Sequence, residues 1–255
     1  MPSIDLNADL GEECADDLAM LDIVTTANVA AGGHAGGGTV LDATVRAAAA
    51  LGVAIGAHPS YVDRAGFGRV SLLADHDDAS LTTMIRNQLL DVVGACAQAG
   101  AAISHVKAHG ALYHDVAADA AAAEAMLAAV HSVSADLGSP IVVVGPPTGA
   151  LRAACQRRGT RYVAEGFADR AYLSDGRLAP RSVPGAVLHA TADVVSQALS
   201  IAVDGSVRTI SGEELQLDVE TLCVHGDTPG AVALAAAIRT ALETAGVSIV
   251  PASRP

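Results

Sequence analysis

The stretch Ile4-Asp5-Leu6-Asn7-Ala8-Asp9-Leu10-Gly11-Glu12 decides how the rest of the chain is read. Ile4, Leu6, Ala8 and Leu10 alternate with Asp5, Asn7 and Asp9, the period of two that belongs to a β-strand. An edge strand would turn such a polar side to water. The strand candidates that follow are almost wholly apolar, as strands covered on both faces are. The polar side of the first strand is therefore expected to face an interior. Carboxylates placed there are costly unless they are paired, hydrogen-bonded or bound to metal.

Working outward, extended segments at 24–30, 53–57, 103–107, 141–144, 162–165 and 222–224 alternate with helical patterns. Leu41, Val45, Ala48 and Leu51 recur at helical spacing and close on Gly52; Leu81, Ile85, Leu89, Val92 and Cys96 do the same; and the Ala-rich stretch 117–135 reads as helix. Strand then helix with long crossovers implies parallel pairing and an α/β architecture. Seven strand candidates predict a distorted seven-stranded (β/α) barrel. A doubly wound sheet fits less well, because polar residues leave almost every strand and no single switch point stands out. No composition break divides residues 1–255, so one domain is expected, with an irregular insertion at about 171–219 and a loose tail at 251–255.

Half of the residues are hydrophobic, yet no apolar run reaches membrane-spanning length, and the start lacks the basic and apolar regions of a signal peptide. Cys14, Cys96, Cys155 and Cys223 lie far apart with no Cys-x-x-Cys pair. These features predict a cytoplasmic protein. A net charge of −13 argues against nucleic acid or an anionic membrane as partner. An anionic substrate would need positive charge supplied within its own pocket. Lys107 is the only lysine among 15 basic residues. In so Arg-biased a chain it marks a place where a compact ammonium is wanted, since Lys and Arg are not interchangeable.

The groups that leave the strand ends are Asp9 and Glu12; Asn28 and His34; His58 and Tyr61; Lys107 and His109; Glu165, Asp169 and Arg170; His225 and Asp227. Six of seven strands thus deliver ionisable or amide groups to one rim, the end of a barrel where active sites are built. Asp9, His34 and His58 suit a nitrogen-and-oxygen metal set, but no helical His motif accompanies them and no metal is assigned from the pattern. No Gly-x-Ser-x-Gly elbow is present, and Cys223 lies in an apolar strand. General acid–base chemistry fits best, with Lys107 and Arg170 supplying charge for a carboxylate or developing oxyanion. Thr228-Pro229 reads as a helix start able to hold an anion. No Gly-Lys-Ser/Thr phosphate loop is visible.

Asp5 to Glu12, Gly56-Ala57-His58-Pro59-Ser60-Tyr61, Gly66-Phe67-Gly68-Arg69, His109-Gly110-Ala111-Leu112-Tyr113, Glu165 to Tyr172 and Val224 to Ala231 together resemble the LamB/YcsF family. The resemblance implies a seven-stranded barrel of the glycoside hydrolase and deacetylase type. It also implies opening of the lactam of 5-oxo-L-proline to L-glutamate, with ATP and Mg2+ as co-substrate and with partner subunits B and C. On that footing Asp9, His58, Lys107, His109, Glu165, His225 and Asp227 are the candidate catalytic set. Asn7, Asn28, His34, Tyr61, Arg69, Asp169 and Arg170 are candidate substrate contacts, with the lactam carboxylate held by Lys107 and Arg170 or Arg69. Self-association is left open. The family's Gly-Phe-His-Ala-Gly-Asp run departs here, since Gly33 and Gly37 replace the Phe and the Asp. Two other readings remain at this point: a stand-alone metal-dependent deacetylase or amidohydrolase, and a non-catalytic small-molecule receptor.

Overall fold

Seven parallel strands close into a ring whose inner wall carries the polar half of the first strand's alternating pattern. The computed structural model describes residues 2–14, 16–224 and 230–253. In chain order the elements are β1 (Ser3–Leu10), α1 (Asp17–Met20), β2 (Thr26–Ala30), α2 (Gly38–Leu51), β3 (Ala54–His58), α3 (Asp78–Gln98), β4 (Ile103–Lys107), α4 (Gly110–Ala118), α5 (Ala120–Leu137) and β5 (Val142–Gly145). They continue as α6 (Ala150–Arg158), β6 (Tyr162–Phe167), α7 (Thr191–Leu199), β7 (Ser206–Arg208), β8 (Glu214–Gln216), β9 (Thr221–Cys223), α8 (Ala231–Thr244) and β10 (Ser248–Ile249). Strands β1 to β6 pair in sequence, β9 pairs with β6, and β9 returns to β1 to close the barrel. β10 adds in parallel to the start of β1, outside the ring. β7 and β8 form a separate antiparallel pair inside the insertion.

The outward residues Leu6, Ala8, Leu10, Ala27, Val29, Ala57 and Val106 are fully buried beneath the helices. The inward residues are polar and meet across the ring. Asp5, Thr26 and Thr221 form one tier, Asn7, Asn28, His105 and Glu165 the next, and Asp9, His58 and Lys107 the tier at the strands' carboxyl ends. Gly56 explains how an imidazole fits into the middle tier. A β-carbon there would lie 2.1 Å from His105 Nε2, so only glycine leaves the ring room to cross.

The expected seven-strand barrel is the observed fold. Two local expectations change. The Ala-rich run is not one helix, because α4 and α5 meet at a bend of 113°. Asp119 causes the break: its carboxylate caps α5 by accepting from the backbone N–H groups of Ala121 and Ala122. The described part of the tail is also anchored rather than loose. Ser253 is buried, with its hydroxyl 3.3 Å from that of Ser104. The insertion bends back over the barrel mouth through bridges from Arg170 to Val187 and from Tyr172 to Leu178. No single helix among the described residues is long and apolar enough to cross a membrane.

Candidate active site

The site is built on the polar face of β1. Asp5 is fully engaged: its two oxygens accept from the hydroxyls of Thr25, Thr26 and Thr221 at 2.6–2.7 Å. Two residues on, Asn7 donates to Glu165 Oε1 at 3.0 Å and Thr221 Oγ1 at 2.7 Å, and accepts from Asn28 at 2.8 Å. Asn28 donates again to Asp9 Oδ1 at 2.9 Å. Its own carbonyl accepts from His105 Nε2 at 2.8 Å. Burial lowers the His105 pKa to about 3, so the ring is neutral and gives its one N–H to Asn28.

Lys107 enters from β4 and is fully buried. Its ammonium reaches Glu165 Oε1 at 2.7 Å and Asp9 Oδ1 at 3.0 Å, with Cys223 Sγ at 3.2 Å. Burial opposes its charge, but Asp9, Cys223 and Glu165 together hold its pKa well above the ordinary lysine value. The same surroundings push the Cys223 thiol far up, chiefly through burial, so it is no nucleophile at neutral pH.

At the mouth four donor atoms converge. His58 Nδ1 donates to the Lys107 carbonyl at 2.8 Å, and His109 Nε2 donates to the Phe67 carbonyl at 3.0 Å. Each ring is thereby turned so that its other nitrogen faces inward, and His58 Nε2 and His109 Nδ1 stand 3.0 Å apart. Asp9 Oδ2 lies 3.2 Å from His58 Nε2, and Glu12 Oε1 lies 3.2 Å from His109 Nδ1. One ligand atom from each of Asp9, Glu12, His58 and His109 falls within 4.8 Å of all the others. Two lone pairs and two carboxylates aimed at one point repel unless a proton or cation stands between them. Two imidazoles and two carboxylates with backbone-fixed tautomers are a donor set that fits a divalent transition metal.

His34, expected as a substrate contact and of a type that suits a metal with Asp9 and His58, is placed behind the four donors and does not line the cavity over them. Its Nε2 donates to Glu12 Oε1 at 2.8 Å while Nδ1 meets Ser60 Oγ at 2.9 Å, and its ring stacks on His109 at 3.5 Å. Burial lowers the His34 pKa to about 4. Burial alone would raise that of Glu12, but the adjoining imidazoles of His109 and His34 hold it down to about 2. Glu12 leaves the first strand in the sequence as plainly as Asp9. It reaches the mouth only through Gly11, whose positive φ of 72° turns the chain back toward the cluster.

A cavity of about 340 Å³ opens over these groups, lined also by Phe67, Arg69, Tyr113, His114, Phe167, Arg170 and Arg181. Asp9, His58, Lys107, His109, Arg69 and Arg170 thus share one mouth. Asn7, Asn28 and Glu165 lie beneath it, and Asp169 is buried on the loop after β6. Tyr61 is not brought to the cavity: it is fully buried, and its hydroxyl donates to Asp115 at 2.7 Å. A side chain leaving a strand end can turn outward, and this one does. Lys107, ion-paired twice, is not free to clasp a carboxylate. Arg170 is better placed, buried and with its guanidinium bonded, among the described residues, to the Ala179 and Ala186 carbonyls rather than to a carboxylate. His225, Asp227 and Thr228-Pro229 lie outside the described residues. At Gly33 a β-carbon would meet Ser60 Oγ at 2.4 Å and Gln88 Oε1 at 2.7 Å, so the space next to it is filled by the loop after β3 and by α3.

A sequence model of the LamB/YcsF family matches residues 4–255. A Nocardia farcinica protein, named as the A subunit of 5-oxoprolinase, is 45% identical over 251 residues, covering 96% of this chain and 98% of its own length. One from Paracidovorax citrulli with the same name is 44% identical over 253 residues, covering 97% and 98%. The crystal structure of a lactam utilization protein from Thermus thermophilus superposes with a TM-score of 0.88 at 34% identity, covering 97% of this chain and 99% of that one.

Proposed function

Because the chain belongs to the LamB/YcsF family, we propose that it is the lactam-hydrolysing subunit of a 5-oxoprolinase, converting 5-oxo-L-proline to L-glutamate. The observation that carries this reading is the convergence of Asp9, Glu12, His58 and His109 beside the buried Lys107, at the floor of a cavity with Arg170 in its wall. The names of the full-length relatives support the substrate class. In the proposed assembly ATP is a co-substrate, with Mg2+, and partner subunits B and C supply the nucleotide site, since no glycine-rich phosphate loop is present in this sequence. A cytoplasmic setting agrees with these partners.

Glu12, His58 and His109 would hold a divalent metal, which when bound lowers the pKa of water and polarises a carbonyl, leaving Asp9 beside it as the base. The chain's own groups do the rest. Arg170 receives the substrate carboxylate, while Phe67 and Phe167 wall the ring from solvent. Asp9 Oδ2 is placed to accept the proton of the attacking water. Lys107 Nζ, 3.0 Å from the other Asp9 oxygen, fixes the orientation of that carboxylate. Hydroxide adds to the ring carbonyl carbon, the ring C–N bond breaks, and the ring nitrogen takes the proton that Asp9 accepted from the water. If the lactam oxygen has first been phosphorylated with ATP, the same water addition and C–N cleavage give the γ-glutamyl phosphate, and a second water then releases phosphate and L-glutamate.

The test is glutamate release from 5-oxoproline, measured for this chain alone and with subunits B and C, with and without ATP. Release only from the complete ATP-supplied mixture supports the whole reading. ATP-independent release that chelators abolish favours a self-sufficient metal-dependent amidohydrolase, a reading that the four-donor cluster also accommodates. No glutamate under any condition overturns both.

A further inference from the structure

A second cavity, of about 460 Å³, adjoins the first and is the larger of the two. Its walls include Tyr113, Pro147, Phe167, Tyr172, Leu173 and Leu178, most of them apolar. Tyr113, His114, Phe167, Arg170 and Leu178 line both cavities, so the two meet at Arg170. Glu165 lines only the second cavity. It is fully buried, and its Oε2 has no hydrogen-bond partner among the described residues. The buried hydroxyl of Tyr113 has none either. Burial first, and then the Glu165 carboxylate facing it, push the Tyr113 phenol well up, so the two groups confront each other in the wall without reaching hydrogen-bond geometry. An acceptor and a donor left so in a buried wall are destabilising, a loss that a ligand carrying N–H and C=O groups would recover.

The first cavity already lies within the size range of small-molecule sites and exceeds what a single lactam amino acid fills. A second compartment of greater volume is therefore unnecessary for 5-oxoproline alone. Its entrance stands where the substrate carboxylate is received, so anything attached to that carboxyl through an amide would extend into it. The amide would meet Glu165 Oε2 and the Tyr113 hydroxyl, and an apolar side chain would meet the aromatic and proline walls.

Building on the 5-oxoprolinase reading, we propose that the second cavity is a subsite for the residue following an N-terminal 5-oxoprolyl group, so that 5-oxoprolyl peptides with an apolar second residue are also ligands and substrates. The reaction is the same: water adds across the ring C–N bond, hydroxyl to the ring carbonyl carbon and a proton to the ring nitrogen. The peptide bond is untouched, and a glutamyl peptide with a free amino terminus is released.

Calorimetric titration of the purified chain with 5-oxoproline and with 5-oxoprolyl-leucine tests this. Ala117→Phe and Ala118→Phe place a phenyl group at positions that line only the second cavity. The expected result is that the wild-type chain binds both ligands, and that the variants bind the peptide at least tenfold more weakly while retaining 5-oxoproline affinity. Retention of that affinity also reports that the variant is folded, and Ala118, being exposed, is the safer of the two. The proposal is overturned if 5-oxoproline binds and the peptide does not, or if the peptide binds equally to wild type and both variants. Saturable ATP binding that the variants abolish would likewise overturn it by giving the cavity to a nucleotide. Failure of both lactams to bind would instead overturn the lactam reading on which it rests.

Discussion

Asp5 and Asp9 lie on the same face of β1, four residues apart and both buried, yet the barrel treats them in opposite ways. Asp5 is closed off by three threonine hydroxyls, each with a proton to give. Burial pushes its carboxyl up, and the hydroxyls draw it only partly back. Asp9 instead shares one oxygen between Lys107 and Asn28 and turns the other to His58, in a cluster with more lone pairs than protons. A satisfied carboxylate reads as structure. A carboxylate in an under-protonated cluster at a cavity floor reads as chemistry.

The largest effect on this contrast is expected from His58→Ala and His109→Ala, made singly. Either change removes one ring of the donor set without touching the Asp5 tier. Glutamate release should fall to background and bound divalent metal, measured by elemental analysis, should be lost, while the circular dichroism spectrum stays that of the parent. Retained metal in both variants would mean that the cluster is not the metal site.

Lys107→Met comes next, and its effect should appear in stability as well as turnover. It leaves Asp9 and Glu165 as buried charges without their cation, a change that costs about 3–5 kcal/mol. Urea unfolding should show that loss as a lower midpoint. Asp5→Asn should be milder and of the other kind. An amide can accept fewer of the three hydroxyl bonds, costing about 1–3 kcal/mol, but kcat at saturating substrate should be unchanged in the folded protein. A tenfold fall in kcat would erase the distinction between the two ends of β1.

Much of this arrangement was legible in the chain itself. The alternation from Ile4 to Leu10 located the inner wall, because period two admits no other regular structure, and the apolar later strands said that the wall was enclosed. Side-chain direction beyond a strand end was not legible. Tyr61 and His58 leave β3 three residues apart, but one meets Asp115 and the other Asp9. His105 gave no signal because its place depends on the absence of a side chain at Gly56, a residue of the neighbouring strand. The break between α4 and α5 was hidden by alanine, whose helix propensity masks the capping signal of Asp119.

A third acid sets a scale for the other two. Asp17, at the start of α1, is buried without threonines or a lysine around it. Burial raises its pKa to about 6, opposed by a long bond of 3.3 Å from the Cys14 N–H, with nearby Glu12 adding to the rise. A carboxyl whose folded pKa exceeds its unfolded value binds more protons folded than unfolded between the two, so stability falls as pH rises from about 4 to about 6. Asp17→Asn keeps an acceptor for Cys14 and removes the ionisation. The variant should therefore match the parent at pH 4 and exceed it at pH 8, by a Tm of about 2–4 °C for each kcal/mol recovered. Thermal unfolding at the two pH values checks this. An equal Tm at pH 8 would mean that solvent reaches Asp17, and that burial alone does not separate the carboxylates of this barrel; what separates Asp5 from Asp9 would then be the protons their neighbours bring.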